Sequence, residues 1–183
     1  MPPPSPPHQF FQRVMVFIDG TNLLQRLGDE LGVNIVPEKH EEKAILAASS
    51  LLSDGLVSGA RFKVIRKYWF SSFRGDSPKK LEIAERLRSK GYEPMIFRKK
   101  GNREKGVDIA LAMSMLTNAF NQNMDVAYLI AGDEDYLNLV TEIKRYGPRV
   151  FGAFLKNGLS KELKLSFDKF NLLQLGNVGK CFL

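Results

Sequence analysis

A chain of 183 residues is long enough for one domain with a buried core, and 44% hydrophobic with 26% charged residues is the balance of an ordinary globular protein. No apolar stretch approaches the roughly 20 residues of a membrane span, MPPPSPPHQ at the N-terminus lacks the pattern of a secretory signal, and the single Cys181 excludes a disulfide framework or a thiolate metal site, so a cytoplasmic protein is expected. The excess of 27 Lys and Arg over 20 Asp and Glu suits a polyanionic partner such as nucleic acid, and His8 and His40 alone make a histidine triad a poor fit.

The proline-rich start is expected to be a solvated tail over 1–12, followed by one domain over 13–176 and a short tail over 177–183. Residues 14–18 (VMVFI) form a continuous apolar run of strand length that ends at Asp19-Gly20, the pattern of a buried parallel strand entering a loop. A helix carrying Leu23, Leu24, Leu27 and Leu31 follows, and Ala44, Ala47, Ala48, Leu51 and Leu52 form one face of another. Alternation over 62–70 predicts a second strand, then a loop over 71–76 (SSFRGD) and a helix opened by Ser77 as N-cap with Pro78 behind it. Gly91 stops that helix. A third strand over 92–97, a basic turn KKGNREKG, a helix over 107–120, a fourth strand over 126–130, a helix over 135–146 and a fifth strand over 150–155 come next. One more helix and the apolar run NLLQL complete the domain.

Strands alternating with helices imply right-handed crossovers and a three-layer α/β/α fold, with a central, mainly parallel sheet of about five to six strands. Ligands in such a sheet bind beyond the carboxyl ends of the strands, near the switch in strand order. Four carboxylates fall at that edge: Asp19 after the first strand, Asp108 at the start of the helix after the third, and Asp133 and Asp135 after the fourth. Acids gathered so closely repel one another unless a hard cation such as Mg²⁺ or Mn²⁺ lies among them. Such a cation can activate a water and stabilise charge on a phosphate. Each acid also has an ordinary explanation: Asp19 as a turn residue, Asp133 or Asp135 as a helix cap, Asp108 as a first-turn acid facing the helix dipole. Those explanations serve each position separately and leave the shared location unexplained.

The segments FIDGTN, EKGVDIALAMSM and LIAGDEDYLNLV resemble the three signature segments of NYN-domain proteins, in the same order and with similar separations. The resemblance extends over about residues 13–155. It implies a PIN-like fold, a divalent-metal acidic pocket and ribonuclease activity; single-stranded RNA is the expected partner, and a homodimer is an option. By that resemblance Asp19, Asp108 and Asp133 are the core acids, Asp135 is a further acid, Asn22 orients the site, and Lys105 holds a substrate phosphate or is a solvated turn lysine. Many relatives carry another Asp six residues after the position of Asp108, where this chain has Ser114. That departure allows for one firmly held metal instead of two, or for a catalytically weak RNA-binding or scaffolding module of the same fold.

Basic residues surround the acids: Arg74, Lys79 and Lys80 after the second strand, and Arg98, Lys99, Lys100, Arg103 and Lys105 after the third. They suit a phosphodiester backbone, or else an ordinary solvated turn. Phe70 and Phe73 read first as core and second as faces for base stacking. A phosphatase reading of Asp19-Gly20-Thr21 fails because Phe17 stands where the nucleophilic Asp would be. A nucleoside-triphosphatase reading fails for lack of a GxxxxGK[ST] loop.

Overall fold

Strand β1 (Gln12–Asp19) is buried from Val14 onward, which is why its sequence is continuously apolar instead of alternating. The computed structural model describes residues 11–32, 61–73, 77–98 and 106–174. After β1 come α1 (Gly20–Leu31), β2 (Phe62–Phe73), α2 (Ser77–Ser89), β3 (Glu93–Arg98), α3 (Val107–Phe120) and β4 (Val126–Ile130). A 3₁₀ turn (Glu134–Tyr136) runs into α4 (Leu137–Arg145), and β5 (Arg149–Phe154), α5 (Lys161–Ser166) and β6 (Lys169–Leu172) close the fold. The helix expected through Ala44 to Leu52, both tails, His8, His40 and Cys181 lie outside the described residues. No helix among the described residues is long and apolar enough to cross a membrane.

The strands form one sheet in the order β3-β2-β1-β4-β5-β6, with every neighbouring pair parallel. The chain winds outward from β1 through β2 to β3, then returns to place β4 on the other side of β1. Right-handed crossovers in opposite directions put helices on both faces. Alternate residues of β1 divide between two cores, as the pleat requires. Val14, Val16 and Ile18 pack with Leu23 and Leu27 of α1 and Ile83 and Leu87 of α2. Met15 and Phe17 pack with Leu111 and Met115 of α3, Val140 and Ile143 of α4 and Leu163 of α5.

Four details bear on the sequence expectation. Strand β2 continues through Ser71, Ser72 and Phe73, which pair with Ile96, Phe97 and Arg98 of β3, where the sequence predicted a loop. Two small polar residues give no strand signal, yet Phe73 is inserted in the core and carries the pairing forward. Phe70 and Phe73 are fully buried, which removes them as base-stacking faces. The helix expected over 135–146 opens as a 3₁₀ turn because the Tyr136 N–H donates to the Asp133 carbonyl, an i→i+3 bond. Helix α2 includes Ser77 itself, so Ser77 is its first residue and not the N-cap expected from the sequence.

Candidate functional site

Asp19 ends β1 and, although charged, is only 3% exposed. It is the N-cap of α1: its Oδ1 accepts from the Asn22 backbone N–H at 2.9 Å, at the positive end of the helix. The turn from strand to helix depends on Gly20, where a Cβ would fall inside the indole of Trp69. The next two residues bind the site to its neighbours. Thr21 Oγ1 accepts from the Ser72 N–H at 2.9 Å, fixing α1 to the end of β2. Asn22 Oδ1 accepts from the Gly132 N–H at 3.1 Å, fixing α1 to the loop beyond β4. That second bond spans the point where the strand order reverses, the crevice in which such sheets hold ligands.

Tyr136 lies within this crevice, and its hydroxyl donates to Asp19 Oδ2 at 2.9 Å and to Asp108 Oδ1 at 3.1 Å. One hydrogen is shared between two carboxylates. Burial first, then the charges of Asp19 and Asp108, push the phenol far above its ordinary range, so it stays a neutral donor. Asp108 is an exposed residue of the first turn of α3, a helix whose N-cap, Gly106, adopts φ +103° and offers no side-chain cap. A first-turn carboxylate there faces the unsatisfied N–H groups of the helix.

The other two acids are arranged differently. Asp133 is exposed and caps the 3₁₀ turn, its Oδ1 accepting from the Asp135 N–H at 3.2 Å, and Asp135 is exposed beside it. Both stand at the carboxyl edge of the sheet. Among the described residues no three His, Cys, Asp or Glu side chains come together as a group that could hold a metal ion. The pair brought to a common atom is Asp19 and Asp108. Ser114, further along α3, has its carbonyl engaged by Asn118 Nδ2 at 2.8 Å. Lys79 is half-buried in the first turn of α2, while Lys80 and Arg98 are exposed. Arg74, Lys99, Lys100, Arg103 and Lys105 lie outside the described residues.

Sequence reasoning overlooked Tyr136 and Thr21. The available signal for Tyr136 was its place three residues after Asp133, one turn further along, in the segment GDEDY. A ring with a polar tip at the start of a buried helix needs a partner for its hydroxyl, and the acids were the partners at hand.

The family model for the NYN domain matches residues 13–174, from the second residue of β1 to just beyond β6. The chain belongs to the NYN domain family. As an NYN domain it is a member of the PIN-like ribonuclease superfamily, and its three-layer parallel architecture is that of the group. The NYN domain is similar to the crystal structure of a protein of unknown function from Vibrio parahaemolyticus, with a TM-score of 0.65 and 18% identity over 93% of this chain and 96% of that one. At that identity the likeness is one of fold. No curated protein matches the chain.

Proposed function

We propose that this NYN domain is a metal-dependent ribonuclease that hydrolyses RNA phosphodiester bonds at the crevice between β1 and β4. The observation that carries the reading is the meeting of Asp19 and Asp108, from segments far apart in the chain, at the single hydroxyl of Tyr136. Two carboxylates held this close disfavour each other's ionisation, and a fold that keeps both has a use for the negative charge.

The donor set is all oxygen, which suits a hard cation. Mg²⁺ commonly takes only one or two carboxylates, filling its shell with waters and substrate phosphate oxygens, so two convergent acids are a sufficient protein contribution for Mg²⁺ or Mn²⁺. In this reading Asp19 and Asp108 hold the ion, and Asp133 and Asp135 act from the neighbouring turn. The bound ion would lower the pKa of a water and offset charge on the phosphate. Tyr136 keeps the two carboxylates at a fixed spacing. Asn22 holds the Gly132 loop, and with it Asp133, against α1. Arg74, Lys79, Lys99, Lys100, Arg103 and Lys105 follow the backbone of a single-stranded RNA, and the compartment is the cytoplasm.

Cleavage of single-stranded RNA in Mg²⁺ or Mn²⁺, compared between the native chain and Asp19→Asn, tests the proposal. Turnover by the native chain that the variant lacks is expected, and equal turnover by both would sink it. A second reading, a catalytically weak RNA-binding module of the same fold, is favoured by one observation: among the described residues the acids do not form a three-residue metal group. Tight RNA binding by the native chain with no cleavage in either metal would select that reading.

A further inference from the structure

A second cleft opens at the opposite edge of the sheet, where the strands begin. Phe11, Gln12, Arg61, Phe62 and Arg149 line a cavity of about 620 Å³, within the roughly 300–1,000 Å³ that small-ligand sites occupy. Its floor is firm backbone. Gln12 pairs with Phe62 across β1 and β2, and the Gln12 N–H donates to the Arg61 carbonyl at 2.7 Å. With a rise of roughly 3.3 Å per residue, the length of β1 separates this cleft from Asp19 by more than 20 Å, so the two sites are distinct.

The cleft holds Arg149 in a defined orientation. Gln12 Oε1 accepts from Arg149 Nη2, and the guanidinium lies 5.7 Å from the centroid of Phe62 and 5.2 Å from that of Phe151. A guanidinium fixed by a hydrogen bond and by ring contacts is pre-organised to present its remaining N–H groups as a fork, the geometry that matches a phosphate. Charge is left to bind one. Among the described residues neither Arg61 nor Arg149 forms an ion pair, whereas Arg13 on the same edge is held by Asp125 at 2.9 Å. The carboxylate whose field Arg149 does feel, Asp168, is already paired with Lys144 at 2.8 Å. Beside these two cations Phe11, an aromatic residue lining the cleft, is 46% exposed.

We infer that this cleft binds a nucleotide unit, with its phosphate in the fork of Arg149 next to Arg61 and its base against Phe11. The same chemistry is offered by a free nucleotide and by one residue of an RNA strand. The inference does not depend on any cleavage at the acidic crevice.

Titration of the full chain with AMP, inorganic phosphate and a short 5′-phosphorylated single-stranded oligoribonucleotide, followed in the amide NMR spectrum, tests it. AMP should move the resonances of Gln12, Phe62 and Arg149 and leave those of Gly132 to Asp135 in place. Arg61→Ala, at an exposed position, should weaken AMP binding at least about tenfold by loss of one charge-assisted contact. Arg149→Lys should weaken it as well, because a point charge does not reproduce the fork. Tighter binding of the oligonucleotide than of AMP, lost with the same substitutions, would identify an RNA strand as the source. Equal binding of the two would identify a free nucleotide. The inference is overturned if AMP shifts appear only around Gly132, if Arg61→Ala and Arg149→Lys both remain folded and bind AMP as the native chain does, or if inorganic phosphate binds as tightly as AMP.

Discussion

The hydroxyl of Tyr136 stands 2.9 Å from Asp19 Oδ2 and, through the same oxygen, joins that buried carboxylate to Asp108 on another helix. A phenol that stays protonated in this position reduces the repulsion between the acids without neutralising them. The hydroxyl also engages one oxygen of each acid, Asp19 Oδ2 and Asp108 Oδ1, which a bound cation would have to share.

Tyr136→Phe removes that shared hydrogen and leaves the rest of the ring in place. The metal-free variant should be less stable by about 0.5–1.5 kcal/mol, the usual net worth of a hydrogen bond, here the one to the buried Asp19. Added Mn²⁺ should raise its melting temperature by more than it raises that of the native chain. Thermal melts of both proteins with and without Mn²⁺ provide the comparison, and an equal response to the metal would remove Tyr136 from the site.

Asp133→Asn should leave the fold intact, since asparagine is as good a cap as aspartate and the side chain is exposed. If Asp133 acts from beside the Asp19–Asp108 pair, RNA cleavage should fall by about 10- to 100-fold, the usual effect of removing an outer partner of a metal site. Single-turnover rates in Mn²⁺ measure this, and an unchanged rate would assign Asp133 to capping alone.

Gly132→Ala tests how the crevice is built. A Cβ there would collide with the Phe154 ring and lie 2.5 Å from the Gly158 carbonyl oxygen, which is backbone and cannot swing away. The loop must shift and the Asn22 bond to the Gly132 N–H must stretch. A loss of about 1–3 kcal/mol in urea unfolding is expected, as for other overpacked sites.

Alkaline pH should unfold the protein cooperatively. Burial pushes the Tyr92 and Tyr128 hydroxyls from 10.0 up to about 12, and Tyr136 is raised further. Above pH 10 the unfolded chain releases phenolic protons that the native chain retains, so stability held below pH 10 is lost as pH rises towards 12. Tyrosinate absorbance followed with circular dichroism should show the ionisation of these rings and the loss of structure in one transition. Complete ionisation ahead of unfolding would contradict the burial argument.

The frame was legible in the sequence wherever burial was complete. Strand β4 and helix α3 occupy the very residues expected of them, because VAYLI is apolar on both faces and Gly106 marks the helix start. The end of β2 was hidden because Ser71 and Ser72 are buried by their place in the sheet, which composition does not report. At the site, the sequence shows that acids collect at one edge. It does not show which of them meet, since that depends on how far α3 and the 3₁₀ turn lean over the crevice. Asp133 illustrates the difficulty: the turn it caps and the site it borders require the same residue type, and only its hydrogen bond to the Asp135 N–H makes the first role visible.

Since Asp19 leads into α1, which packs in one core, and Asp108 rides on α3, which packs in the other, the spacing of the two carboxylates depends on how both helices seat against the sheet. A void under α3, such as Met115→Ala would create, lets that helix settle towards the sheet and carries Asp108 with it. An equal void at Leu87 falls in the core that also holds Leu23 and Leu27 of α1, the helix that Asp19 caps. Residues that never touch solvent, on both sides of the sheet, therefore bear on the spacing of the acids.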